Sequence, residues 1–244
     1  DSTAPAYPVK LSQLKPGFYK FAALLDTDNT ERAITTAGNW YSRDVLAEIK
    51  AGSKTETHIY LNRIFPARPF RESDSVQLVS MKSRLLSDFH KKPVAVVGAV
   101  VLPRSYAKDS NQKYPVVFII PGWGGRHYDI FNPYMKKRCG IGMAKDKIYV
   151  YLNPETQTPY GLHAFIDSRV NGPWGKALVE ELVPYLQQHY RINTDPKQHF
   201  IAGQSSGGYA ALWLHLNYPK AFGGSWAVSP DPVDFGDFTS VNLY

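Results

Sequence analysis

From Pro16 to His90 the apolar residues fall in short clusters rich in Tyr, Phe, Val and Ile, separated by Asp, Asn, Gly and Pro. That rhythm predicts strands at Gly17–Leu25, His58–Phe65 and Val76–Met81, and a less regularly patterned one at Ala33–Gly38. One stretch, Ser42–Ala51, fits a short helix that carries Val45, Leu46 and Ile49 inward. From Pro93 onward the grammar changes. Val94–Leu102, Tyr114–Ile120 and Lys147–Leu152 are continuous apolar runs of strand length. Gly175–Tyr190 then repeats Leu178, Leu182 and Leu186 beside Val179 and Val183, which places them on one helical face, with Pro184 expected to kink it. His199–Ala202 reads as a strand, Tyr209–Asn217 as a helix and Phe222–Val228 as a further strand. Strands alternating with helices imply parallel β-α-β units. The expected fold is therefore α/β: a doubly wound, mostly parallel sheet in residues 93–244, C-terminally incomplete, preceded by a smaller β-rich domain or extension in residues 1–92.

Between the His199 strand and the Tyr209 helix stands Gly203-Gln204-Ser205-Ser206-Gly207-Gly208, a G-x-S-x-G sequence centred on Ser205. The motif alone is a weak signal, and its setting strengthens it. A nucleophilic serine of this type needs a strand running in and a helix running out, so that its hydroxyl stands above the sheet on a tight turn. Glycines on either side let the two backbones approach. The competing reading is a plain Gly/Ser connection; a phosphate-binding loop lacks its Gly-Lys-Ser/Thr ending here. An acyl-transfer nucleophile also needs donors for an oxyanion. The amide of Ser206 at the helix start is one candidate, and the amide of Trp123 or Gly124 in Pro121-Gly122-Trp123-Gly124-Gly125 is the other.

The stretch from Val94 to Asp231 resembles the α/β-hydrolase superfamily and, within it, the putative-esterase family, which includes esterase D, enterochelin esterases, feruloyl esterases and mycolyltransferases. The matching pieces are VVLPRSY, YPVVFIIPGWGG, the Gly172-Pro173-Trp174-Gly175 helix entry, IAGQSSGGYAALWL and SWAVSP. Pro121 departs from the His that many relatives carry before the glycine; backbone amides do that work, so the departure leaves the mechanism intact. The resemblance implies a serine esterase acting on small-molecule, carbohydrate or lipid esters, without metal or organic cofactor. An acyltransferase using the same nucleophile, or a non-catalytic carbohydrate- or anion-binding relative, are the alternatives.

A general base is harder to find. In this superfamily the acid and the histidine follow the nucleophile in the chain. The histidine that follows is His215, about 15 Å along the next helix and out of reach. Three readings stand: a base on a C-terminal remainder of the same gene product, a base from upstream at His163 or His127, or a relative that binds without turnover. Asp231, after Ser229-Pro230, is a candidate triad acid or an ordinary loop carboxylate. The loop Tyr160–Gly175 precedes a helix at the sheet end where ligands of α/β folds bind, so His163, Asp167 and Asn171 are candidates for lining the substrate pocket. The other reading of these three is loop hydrogen bonding, with Asn171 capping the helix. His163 and Asp167 lie four apart, too few ligands for a metal site.

The remaining composition narrows the partners. One cysteine, Cys139, excludes an intrachain disulfide and a multi-thiolate zinc site. The net charge of +7 is scattered, with Lys136-Lys137-Arg138 its densest cluster, unlike the concentrated face of a nucleic-acid binder. No apolar run approaches the ~20 residues of a membrane-spanning helix. The first residue is Asp1 and the opening residues are small, polar and interrupted by Pro5, as in a processed chain, which points to a secreted or periplasmic protein.

Overall fold

The computed structural model describes residues 8–27, 33–52, 56–138, 140–141, 146–156, 161–234, 236–237 and 241–242. It divides into two compact units, Asp1–Arg68 and Pro69–Tyr244.

In the first unit, β1 (Gly17–Phe21) pairs antiparallel with β4 (Val45–Ile49), while β2 (Leu24–Leu25), β3 (Trp40–Ser42) and β5 (Leu61–Ile64) form a three-stranded sheet in the order β2-β3-β5. The helix expected over Ser42–Ala51 is thus a strand. Val45 and Ile49 lie four apart, a spacing that both periods satisfy. The pairing of Gly17 with Ile49 through Phe21 with Val45 selects the period of two. Leu46, expected inside, is 77% exposed in consequence. The segment Ala33–Gly38 forms turns, closed by the Thr36 amide on the Ala33 carbonyl at 2.9 Å. Among the described residues, every buried apolar side chain lies from Val76 onward.

The second unit is built on a six-stranded sheet: β6 (Val76–Ser83), β7 (Val94–Val101), β8 (Val116–Ile120), β9 (Ile148–Leu152), β12 (His199–Ser205) and β13 (Gly224–Pro230). Their spatial order is β13-β12-β8-β9-β7-β6. The four strands from β13 to β9 are parallel, and β7 and β6 run antiparallel at the far edge. This is the α/β sheet expected. The expected boundary at residue 92 falls inside this unit, because β6 pairs with β7 over its whole length, from Val76 with Val101 to Ser83 with Val94. The short helix α1 (Arg84–His90) joins the two. The Ser83 hydroxyl caps it by accepting from the Leu86 amide at 3.1 Å, and Glu181 accepts from the Leu85 amide at 3.0 Å.

Every residue of β8 and β9 is buried, as befits parallel strands covered on both faces. One face carries α1 with α3 (Trp174–Ala177), α4 (Val183–His189) and α5 (Ser206–Asn217), packed through Leu86, Leu178, Leu182, Leu186 and Leu214. A smaller cluster of Val117, Ile119, Ile130, Ile141 and Tyr149 covers the other face, where α2 (Pro133–Arg138) lies nearby in sequence. A two-residue hairpin, β10 (Asp167–Ser168) with β11 (Gly172–Pro173), leads into α3. Between α3 and α4 the helix widens into a π turn at Leu178–Leu182, where the Val183 amide bonds the Leu178 carbonyl. Pro184 has no amide to donate and crowds the turn before it, so the expected kink takes the form of this wider turn. None of the described helices is long and apolar enough to cross a membrane.

What brings α5 onto the sheet is backbone contact. A Cβ on Gly203 would lie 2.0 Å from the Gly207 carbonyl oxygen, and one on Gly207 would lie 2.0 Å from that of Ile120 at the end of β8. No rotamer relieves a clash with backbone. Gly207→Ala is therefore expected to destabilise the second unit by about 3 kcal/mol or more. Gly140→Ala adds strain at a positive φ, yet its Cβ meets nothing within 4 Å among the described residues, and it is expected to cost only about 1 kcal/mol. Denaturant unfolding of both variants checks the contrast.

Candidate active site

β12 ends at Ser205 and α5 begins at Ser206, so the junction has no loop residue to spare. Ser205 absorbs the reversal with φ 55° and ψ −128°, a conformation that costs a non-glycine residue about 1–3 kcal/mol. The surroundings over-determine it. Gly203 and Gly207 hold strand and helix together as described, the pairing with β13 shifts register between Gln204 and Ser205, and the Asp231 amide reaches the Ser205 carbonyl at 3.3 Å. The Ser205 hydroxyl donates to Asp231 Oδ1 at 3.0 Å.

The segment after β8 packs against this junction. A Cβ on Gly122 would lie 3.0 Å from the Gln204 carbonyl oxygen and 3.3 Å from Ser205 Cβ. The turn is closed by the Gly125 amide on the Gly122 carbonyl at 2.9 Å, and Gly124 has φ 83°, which favours glycine. Trp123 and Gly124 directly follow Gly122 in the chain, and Trp123 is 66% exposed. Ser206 occupies the first position of α5, where an amide has no partner within its own helix. Its hydroxyl is buried without a hydrogen-bond partner among the described residues.

The three residues expected to line the pocket have other work. His163 is 2% exposed, its ring stacked on Trp174 at 3.4 Å, and its Nδ1 accepts from the Phe165 amide at 3.0 Å. Asp167 accepts from the Lys176 amide at 3.0 Å, so it, and not Asn171, caps the helix. Its second oxygen accepts from the Tyr218 hydroxyl. Tyr218 follows the last turn of α5, about 18 Å from the end that carries Ser205, which removes Asp167 from the surroundings of Ser205. Asn171 ties the loop: its side-chain amide donates to the Leu162 carbonyl at 3.0 Å, its backbone amide to Ser168 Oγ at 2.9 Å, and its carbonyl lies 2.9 Å from His90 Nε2.

The two upstream histidines considered as bases are core residues. Burial drives the His163 imidazole well below its ordinary pKa, against the pull of the Asn153 and Glu155 backbone. His127 is 5% exposed between Phe70 and Tyr128, and burial, with the Arg126 charge, lowers its pKa to about 4. All seven histidines are among the described residues, and none hydrogen-bonds Ser205. Asp231 stands where a triad histidine would reach the hydroxyl; a triad acid would touch that histidine, one bond further away. No group of three or more His, Cys, Asp or Glu among the described residues is arranged to hold a metal ion.

The two buried imidazoles set a pH dependence. An unfolded chain takes up their protons below the ordinary value of about 6.5, and the folded state refuses His127's until about 4. Stability is thus complete above that ordinary value and falls as the pH drops from there toward 4, by an amount on the order of a few kcal/mol. His127→Phe, which keeps a ring in place, is expected to flatten this fall, as thermal unfolding between neutral and acid pH would show.

A family model described as Putative esterase matches residues 95–235. Among solved structures, a ferulic acid esterase superposes with a TM-score of 0.53 at 22% identity, over 64% of this chain and 58% of its own. The fluorophosphonate-binding serine hydrolase F of Staphylococcus aureus gives 0.53 at 13% identity, over 70% and 62%. An S-formylglutathione hydrolase from Agrobacterium tumefaciens gives 0.51 at 19%, over 66% and 60%. The chain thus spans about three-fifths of the length of each, and at these identities the likeness is one of fold. The family match covers more than half of the chain, including β7 to β13 and the Ser205 turn, and the chain belongs to the putative-esterase family of α/β-hydrolases.

Proposed function

We propose that this chain carries the nucleophile of a serine esterase, with Ser205 in that role. The observation that supports the reading best is the conformation of Ser205, strained at a strand–helix junction with a glycine-fixed turn against its Cβ. Strain of that kind persists where the fold uses it. In the reaction, Ser205 Oγ attacks the ester carbonyl carbon and its proton passes to a base. The carbonyl oxygen becomes an oxyanion held by the amides of Ser206 and of Trp123 or Gly124, each donor contributing about 3 kcal/mol to such a transition state. Collapse expels the alcohol, which takes up the proton, and water then releases the acid from the acyl-serine by the same steps in reverse roles.

Asp231 cannot be the whole of the proton-accepting machinery, since a carboxylate is too weak a base to hold a serine proton near neutrality. Its bond to Ser205 orients the hydroxyl, and the base in this reading is an imidazole other than the seven in their observed places. The same bond favours the second reading, a relative that binds esters or their acids without turnover. The two readings diverge under a fluorophosphonate probe.

In the full gene product, the expected result is one phosphonyl adduct on Ser205 in the intact-mass spectrum and hydrolysis of p-nitrophenyl acetate that falls by at least about a thousandfold in Ser205→Ala. Equal rates for the two proteins would end the esterase reading. Saturable ester binding without an adduct would establish the second one.

A further inference from the structure

In the first unit, the β2-β3-β5 sheet has two unlike faces. Leu24 pairs with Tyr41 and Tyr41 with Arg63, so these three side chains share one face. Arg43 and Phe65, the residues just past the ends of β3 and β5, border the same groove. The Tyr41 and Phe65 rings stack there with centroids 4.3 Å apart. Arg63 lies over the Tyr41 ring with its guanidinium 6.0 Å from the centroid. Together with Ile34 these residues border a groove of about 800 Å³. That is large enough for a small organic molecule.

The charges of the groove are unbalanced. Its one carboxylate, Asp44, is paired with Lys20 at 2.6 Å. Neither Arg43 nor Arg63 forms an ion pair among the described residues. Ser42, the hydroxyl nearest in sequence, is buried and accepts from the Ala23 amide at 2.8 Å, so it is committed to the sheet. The groove therefore offers a flat aromatic and aliphatic surface and two guanidinium groups that form no ion pair among the described residues, with Thr35 also on its border. Guanidinium groups take a carboxylate through paired N–H donors, and stacked rings take a planar body.

We propose that this face of the first unit is a binding site for an aromatic carboxylate of the benzoate or cinnamate class, with Arg43 and Arg63 on the carboxylate and the Tyr41–Phe65 pair under the ring. The proposal does not involve Ser205 and stands or falls independently of the esterase reading.

Titration of the full chain with cinnamate, followed by calorimetry and ligand-observed NMR, tests it. Saturable binding is expected in the millimolar range or tighter, weakening as salt is raised. Arg63→Gln and Arg43→Gln should each weaken it about tenfold, and cinnamamide, which keeps the ring without the charge, by at least as much. Tyr41→Leu should weaken cinnamate and leave acetate as weak as before. Ser205→Ala should bind cinnamate as the parent does. Binding that survives R43Q and R63Q together, is abolished by Ser205→Ala, or is tighter for galacturonate than for cinnamate overturns the proposal. Absence of saturation up to about 10 mM at low salt overturns it as well.

Discussion

The backbone contact between β12, the first turn of α5 and the end of β8 is the constraint on which the site depends. Gly203 and Gly207 admit carbonyl oxygens to positions that a Cβ would occupy. Because the approach leaves no room for a loop, the turn at Ser205 must be made within one residue, and the serine takes the strained conformation. Because Gly207 lies on the Ile120 carbonyl, the chain leaving β8 starts its turn beside the same serine. Ser205 and the glycine turn that packs against it are brought together by one steric condition. Gly122 completes the arrangement, since its hydrogen lies where a side chain would strike Gln204 and Ser205.

The rest of the second unit supports that junction from a distance. The fully buried β8 and β9 hold the sheet centre, and α3 with α4 and α5 cover one face through the leucine series at 178, 182 and 186 and Leu214. The loop before α3 is polar in composition and structural in use. His163 on Trp174, Asp167 between Lys176 and Tyr218, and Asn171 between Leu162 and His90 fix a segment that carries little secondary structure of its own. Buried backbone outside helices and sheets needs such partners, and short polar side chains supply them.

The first unit follows a different logic. With no buried apolar side chain among its described residues, its sheets present rings, aliphatic groups and arginines at the surface. The alternation that placed these residues is visible as Tyr41-Ser42-Arg43 and Arg63-Ile64-Phe65. Those runs carry a period of two, yet neither signals which strands pair, and so neither points to a groove before the register is known.

Much of the architecture was legible in the chain itself. Continuous apolar runs marked β7, β8 and β9, the four-residue leucine spacing marked the long helix, and glycines around Ser205 marked a turn that needed them. Each is a local property, because burial on both faces, helical periodicity and the absence of a Cβ are written in neighbouring residues. What lay outside local reach was decided by partners distant in sequence. Val45 and Ile49 suited either period until β1 paired with them. Val76–Ser83 looked like part of an N-terminal domain until β7 took it as an edge strand. Asp167 looked like a pocket residue until Tyr218, some fifty residues on, claimed its second oxygen, and His163 like a base until Trp174 covered it. A side chain's type limits the chemistry it can do, while its neighbours across the fold decide which of those roles remains open.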